Sequence, residues 1–472
     1  MVRLARYLKP FLLLVMVAIV LLFMQAMADL SLPGYMARIV NVGIQQGGIE
    51  DAVPGAIRQS QMDRLVLFMS ADEQAQVLRH YTLVEHQSPD YEKYVKDYPA
   101  LADQPIYVLG HVSDEDIDRL NPILGTAFLA LSGVERAAEG GASADVSALP
   151  AEARQQMLDK IEQTYAAMGR SGITQAAVAT VKAEYAALGV NTGSLQNRYI
   201  VKTGLHMLLL ALVSAACTVT VGFLAARTAA GAARDLRRDL FKKIESFSNS
   251  EFDKFSTASL ITRSTNDVTQ VQMVIIMLLR IVCYAPIMGI GGIIRAMNTN
   301  ATMWWIIAVA VAALLTLILT LFLVALPKFR IVQSLTDRLN LVTRENLSGI
   351  MVVRAFNAQP FEEARFDRAN KDLTDTTLFI SRAMASMFPM MMIIMNGLSL
   401  LIIWVGAHQV AKSAMQVGDM MAFMQYAIQV VMSFFMLSIM FIVLPRASVS
   451  GARIADVLET EPSIRDPQQP QR

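Results

Sequence analysis

The chain has 472 residues, of which 54% are hydrophobic and only 17% charged. A soluble globular chain carries about 25% charged residues, so the composition excludes an ordinary water-soluble enzyme and a disordered chain alike. The two cysteines, Cys217 and Cys283, both sit in apolar runs, which excludes a disulfide-stapled scaffold and a cysteine-rich zinc module.

In chain order, the first element is an apolar run over Phe11–Ala28, preceded by Arg3, Arg6 and Lys9. An apolar stretch of about 20 residues crosses a bilayer as a helix. A rival reading stays open here: Ala26-Met27-Ala28 resembles a leader-cleavage site. The next segment, about 29–206, is the long polar stretch of the chain, with 14 Lys+Arg against 22 Asp+Glu. Its turn signals predict helices. Ser70 with Glu73 fits a capping box, and Ser113 with Asp116 opens a helix running through Phe128 and Leu131. Pro150 suits the first turn of a helix over 151–168 closed by Gly169, and Thr174–Leu188 ends at Gly189. Asp114, Asp116 and Asp118 have the alternate spacing of a calcium loop, but Arg119 and Gly125 stand where the loop needs glycine and glutamate. His80, His86 and His111 are scattered, and no metal site is expected.

Five further runs follow: Met207–Ala226, Val274–Ile294, Met303–Leu326, Ser386–Val405 and Met420–Leu444. Six spans put both termini on one side. The four segments on that side hold 24 Lys+Arg, whereas the two short loops opposite hold one each, Arg295 and Lys412. Positive charge marks the cytoplasmic side, so both termini are expected inside and residues 29–206 outside a plasma membrane. The net charge of +1 is a cancellation of an acidic outer segment against basic inner ones. Two inner segments, Arg227–Gln270 and Pro327–Arg382, are helix-favouring and mixed in charge. As paired arms they reach about 30–35 Å below the membrane, a length that makes sense if something there pushes on the spans.

The expected fold is an all-α membrane protein. It has six transmembrane helices with long cytoplasmic helical extensions, and a mostly helical extracellular insertion between the first two. The expected organisation is a tail and first span over 1–44, the insertion over 45–197, spans two to six with two loops over 198–458, and a linker over 459–472. Polar side chains inside a span face a bundle interior or an aqueous cavity. Asn396, Gln425 and Gln429 are therefore candidate cavity residues. Arg280 either lines the cavity or sits at the cytoplasmic edge. Of the 29 methionines, thirteen fall between Met384 and Met440, in the fifth and sixth helices and the loop joining them, and Met391, Met395, Met432 and Met436 belong to stripes at helical spacing. Methionine suits an adaptable apolar surface, and packing or lipid-facing roles explain the same stripes.

Three stretches resemble the membrane domain of a six-span ABC exporter: "FDKFSTASLITRSTNDVTQVQ" from Phe252, "ENLSGIMVVRAFNAQPFEEARF" from Glu345, and "VGDMMAFMQYA" with "ASVSGARIADVLETEP" at the last span and its exit. Ala258 departs from the glycine common in that family. The resemblance implies short coupling helices near Glu251–Ser259 and Arg354–Phe361, resting on nucleotide-binding domains through Glu251, Phe252, Asp253, Phe255, Arg354, Ala355, Phe356 and Phe361. The insertion resembles one half of certain heterodimeric bacterial multidrug exporters, which implies a non-identical second half. No Gly-Lys pair for a phosphate-cradling loop occurs in the chain, nor an LSGGQ signature. ATP and Mg are thus expected on partner nucleotide-binding domains, with no cofactor and no catalytic residue on this chain. It is either the membrane part of a longer polypeptide, as the linker-like "ARIADVLETEPSI" suggests, or a subunit with a separate ATPase. The other expected partner is the bilayer, not nucleic acid. Export of amphipathic compounds by alternating access is the leading expectation. Lipid or peptide export with hand-over through the outer domain is an alternative, and a membrane-anchored sensor is an alternative of another class.

Overall fold

The computed structural model describes residues 2–139, 155–156, 158–159, 169–412 and 414–464. They fall into two compact units: Met1–Met27 with Ala215–Ile402 and Tyr426–Arg472, and Ala28–Ser214 with Ile403–Gln425. In chain order the elements are α1 (Leu12–Arg38), β1 (Ala56–Arg58), α2 (Gln59–Val66), α3 (Ala71–His80), β2 (Tyr81–Val84), α4 (Tyr91–Asp97), β3 (Ile106–Leu109), α5 (Asp114–Glu139) and α6 (Gly169–Ala187). There follow α7 (Thr192–Glu245), α8 (Asn249–Lys254), α9 (Thr257–Thr262), α10 (Val268–Met277), α11 (Cys283–Thr299), α12 (Trp304–Ser348), α13 (Ile350–Ala355), α14 (Gln359–Ala411) and α15 (Val417–Glu459).

Among the described residues, six helices are long and apolar enough to cross a membrane: Arg6–Gln45, Thr192–Glu245, Thr257–Thr299, Ala301–Ser348, Gln359–Ala411 and Val417–Glu459. The longest has 54 residues and so extends about 80 Å. A bilayer core is only about 30 Å thick. The apolar windows therefore continue as polar helix without a break, and the chain is an all-α, multi-pass membrane domain.

In the unit that holds the insertion, β1, β2 and β3 form an antiparallel sheet in the order β1-β3-β2. Ala56 and Thr82 both pair with Val108. Alternation along β3 separates two cores. Ile106 and Val108 face a small cluster with Val84, Leu101 and Leu188, while Tyr107 and Leu109 pack on the main core around Phe128, Leu124 and Met62. The sheet is an addition to the expected helices. Strands of three or four residues carry too little period-two pattern to stand out, and β2 follows α3 without a turn residue.

The local signals for helix ends hold in detail. The Ser70 hydroxyl accepts from the Glu73 N–H, and the Glu73 carboxylate accepts from the Ser70 N–H at 2.8 Å. The Ser113 hydroxyl accepts from the Asp116 N–H and donates to its carboxylate. At the end of α6, Gly189 has φ +82°, the Gly189 N–H donates to Ala186 O, and the Val190 N–H donates to Tyr185 O. That pair of bonds is a Schellman close, which requires a left-handed residue where Gly189 stands. The expected helix over 151–168 lies almost wholly outside the described residues. Gly169 is the first described residue after that stretch and lies in α6.

The other unit is built on an alanine stripe. Ala225, Ala229, Ala232, Ala233, Leu236 and Leu240 of α7 are all buried with Val268, Val271 and Ile275 of α10 and Ile454 and Val457 of α15. Small side chains let helix backbones approach closely. At Gly231 the approach is closest, since a Cβ there would meet the Phe11 ring at 2.4 Å.

Two five-residue π turns interrupt the third long helix, at Arg263–Asp267 and Leu278–Val282. The second has a cause in the sequence. Pro286 has no N–H, and its ring presses on the carbonyl four residues back, that of Val282. A widened turn ending at Val282 relieves that clash.

Candidate functional site

A cavity of about 380 Å³ lies within the unit that contains the third long helix. Its walls are Leu22 and Gln25 of α1, Thr218 and Val221 of α7, Met436 of α15, and Ile276, Met277, Arg280, Ile281 and Tyr284 of the third long helix. The last five repeat at positions i, i+1, i+4, i+5 and i+8, which is one helix face. The π turn lies in the middle of that face and carries Arg280. π turns are frequent at functional sites because the extra residue re-aims the side chains around it.

Of the eight candidate cavity residues, the structure brings Arg280 and Met436 to this cavity. Met391 is buried in the helix packing, Met395 is half-buried, and Asn396, Gln425 and Met432 are exposed elsewhere on their helices. Gln429 is half-buried and does not line the cavity. Gln25, Thr218 and Tyr284 line it without having been singled out from sequence. All three are polar side chains within apolar runs, the one signal that was available.

The arms end in two tips. The first is α8, opened by a capping box in which the Ser248 N–H and hydroxyl both donate to Glu251 at 2.7 Å. Ser250 Oγ and the Ser463 N–H donate to the other Glu251 oxygen, at 2.9 and 3.1 Å. The four donors, the Ser248 hydroxyl first, hold the Glu251 carboxyl down at about 2. Phe255 is buried against Phe247, and the Arg263 guanidinium lies 4.8 Å from its ring centre. Glu251 and Phe255 thus face their own chain, whereas Phe252 and Asp253 point outward.

The second tip is α13, closed by a turn with Asn357 at φ 54°. The Ala358 N–H donates to Val353 O and the Asn357 N–H to Arg354 O, again a Schellman close. Asparagine tolerates the left-handed region better than other side-chain-bearing residues. Beyond the tip, Arg365 of α14 pairs with Glu345 of α12 at 2.5 Å, and Arg338 pairs with Asp372 at 3.7 Å. These pairs staple the two arms. Arg354 and Ala355 are exposed, and Phe356 and Phe361 are 80% and 64% exposed. Met351 is 75% exposed beside them. Each tip therefore presents apolar side chains outward on a rigid helical frame.

Residues 171–434 match the family model described as the ABC transporter transmembrane region. An uncharacterized ABC transporter ATP-binding protein of Mycobacterium tuberculosis is 38% identical over 291 residues, which cover 62% of this chain and 50% of that protein. The uncharacterized ABC transporter ATP-binding protein YfiB of Bacillus subtilis is 35% identical over 269 residues, 57% of this chain and 47% of its own. A putative export ATP-binding/permease protein of Rickettsia felis is 23% identical over 249 residues, 51% of this chain and 42% of its own. The chain spans about half the length of the curated relatives it matches. With more than half of its residues inside the family match, the chain belongs to the ABC transporter transmembrane region family.

Proposed function

We propose that this chain is the membrane-spanning half of an ATP-driven exporter that moves amphipathic compounds by alternating access. The observation that carries the reading is the pair of rigid tips. Exposed Phe252 on the short α8, and exposed Met351, Phe356 and Phe361 at the second tip, cap the ends of the long helices Thr192–Glu245, Thr257–Thr299, Ala301–Ser348 and Gln359–Ala411, which carry the apolar windows. Exposed apolar side chains on a stiff frame suit a docking surface, and a continuous helix transmits displacement along its length.

On this reading the tips rest on nucleotide-binding domains, whose binding and hydrolysis of ATP with Mg supplies the driving free energy. The residues of this chain do the rest. The tips receive the displacement, the stapled arms carry it, and the cavity at Arg280 changes the side to which it opens. The names of the relatives, ATP-binding and export proteins, support the pairing with an ATPase. The lysine and arginine distribution supports a plasma-membrane orientation with arms and termini inside and the insertion outside. The long insertion supports a non-identical second half.

Inverted vesicles that contain the full polypeptide and its partners test the proposal. ATP-dependent uptake of an amphipathic dye, abolished by vanadate, is the expected result. Absence of uptake, together with tight ligand binding by the insertion, would favour the sensor reading.

A further inference from the structure

The cavity has a chemical character that the export reading does not specify. Arg280 brings a guanidinium into the apolar run Val274–Ile294, where it is exposed on the open wall of the cavity. A cation at such a position is costly and is ordinarily paired. Arg453 and Arg58, by contrast, pair with the buried carboxylates of Asp267 and Glu184. Arg280 has no ion pair or hydrogen bond among the described residues, and no Asp or Glu lines the cavity. Beside it is the amide of Gln25, a group that hydrogen-bonds to an oxyanion. The remaining walls are apolar, among them Leu22, Val221, Ile276 and Met436. Ligand pockets run from about 300 to 1,000 Å³. A volume of 380 Å³ suits a headgroup and the upper part of one tail, not a whole two-chain lipid.

We infer that this cavity is a binding site for the anionic headgroup of an amphiphile, a phosphate or carboxylate held by Arg280, with its tail along Leu22, Ile276 and Met436. The inference rests on the export reading for the fate of the ligand, since it names the class of compound that the same site takes. It also sets a polarity. A fixed positive charge repels amphipathic cations and attracts amphipathic anions.

The test uses the full chain in phosphatidylcholine nanodiscs and two photoreactive probes with the same diazirine-bearing alkyl chain, one with a phosphate head and one with a trimethylammonium head. Cross-linked peptides are located by mass spectrometry. The phosphate probe is expected to label the segments around Leu22–Gln25 and Ile276–Tyr284 about tenfold more than the cationic probe, the size of one charge-assisted contact. Arg280→Gln is expected to erase that preference and Arg280→Lys to keep most of it, both with unchanged thermal midpoints. Equal labelling by the two probes, or a preference that survives Arg280→Gln, overturns the inference. Loss of phosphate labelling once the second half-transporter is added also overturns it, and assigns Arg280 to the interface between halves. Suppression of labelling by phosphatidylglycerol identifies a resident lipid headgroup, and labelling lost on addition of ATP and partner domains identifies a cargo. Both outcomes support the anion site. Intact phosphate labelling without ATP-dependent uptake would count against the export reading alone.

Discussion

Asp267 accepts a hydrogen bond from Arg453 at 2.6 Å, with its own side chain only 1% exposed and that of Arg453 45% exposed. The same carboxylate oxygen accepts from Ser450 at 2.8 Å. The pair joins the π turn of the third long helix to α15, and the Arg263 guanidinium adds a bond to the Arg453 carbonyl at 2.8 Å. The unequal exposure of the partners predicts an unequal cost. Removing Arg453 leaves a carboxylate buried and uncompensated, a change worth about 3–5 kcal/mol. Removing the charge at Asp267 leaves an arginine that water can reach, worth about 1–2 kcal/mol. Arg453→Met should therefore lower the apparent thermal midpoint in detergent well below that of Asp267→Asn. The double variant should lie closer to Asp267→Asn than to Arg453→Met. Equal effects from the two single variants would contradict this.

Glu251 predicts a pH dependence at the first tip. Its carboxyl is held at about 2 against an ordinary 4.5, chiefly by the Ser248 hydroxyl and then by the Ser248 N–H, Ser250 and Ser463. The folded form lowers the pKa, so the contribution is present in full above about 4.5 and is lost as pH falls toward about 2. Hydrogen exchange of α8 and of the segment around Ser463 should be flat in the contribution of this group from neutral pH down to about 4.5, and should rise below it. Glu251→Gln should show the loosened exchange at all pH values. A tip whose protection stays unchanged down to pH 2 would show that these bonds do not hold it.

Phe356 and Phe361 carry a prediction of the opposite kind. They are 80% and 64% exposed, so their replacement removes almost no packing. Phe356→Asp with Phe361→Asp should leave the stability within about 0.5 kcal/mol of the parent, as surface substitutions do, with the thermal midpoint nearly unchanged. If the tip docks on an ATPase domain, uptake into inverted vesicles should fall about tenfold or more, since a central apolar anchor at an interface is worth about 2 kcal/mol. Undiminished uptake would remove the second tip from the coupling path.

What was legible in the sequence depended on range. Ser70 with Glu73, Ser113 with Asp116, and Gly189 act within three to five residues of themselves, and each holds as expected. The six apolar windows were legible because the bilayer imposes a length that no soluble helix needs. The sheet was not, because Ala56–Arg58 gains its meaning only from pairing with Ile106–Leu109, about fifty residues away in the chain. The tips were placed by motif resemblance to within a few residues, but motif resemblance does not tell which side chains turn inward, as Glu251 and Phe255 do. The cavity was half legible. Arg280 stood out as a charge in an apolar run. Thr218 and Tyr284 did not, since their place on its wall depends on the mutual rotation of three helices.

Gly289 and Ser433 make the tightest test of that mutual packing. A Cβ on Gly289 would lie 2.7 Å from Ser433 Oγ, a side chain that is 3% exposed and donates to Val430 O at 2.7 Å. The contact sets how closely α11 approaches α15. Gly289→Ala adds one methyl group where no space exists, and overpacking of this kind costs about 1–3 kcal/mol. Gain of helix propensity on replacing glycine, about 1 kcal/mol, acts in the opposite direction and tempers the loss. Gly289→Leu cannot be accommodated by rotation of one hydroxyl and should cost more. Ser433→Gly opens the space opposite, so Gly289→Ala with Ser433→Gly should recover most of the midpoint lost by Gly289→Ala alone. Recovery marks a direct steric contact between the two positions, because independent sites add without interaction. Additive loss in the double variant would mean that the two helices do not meet there.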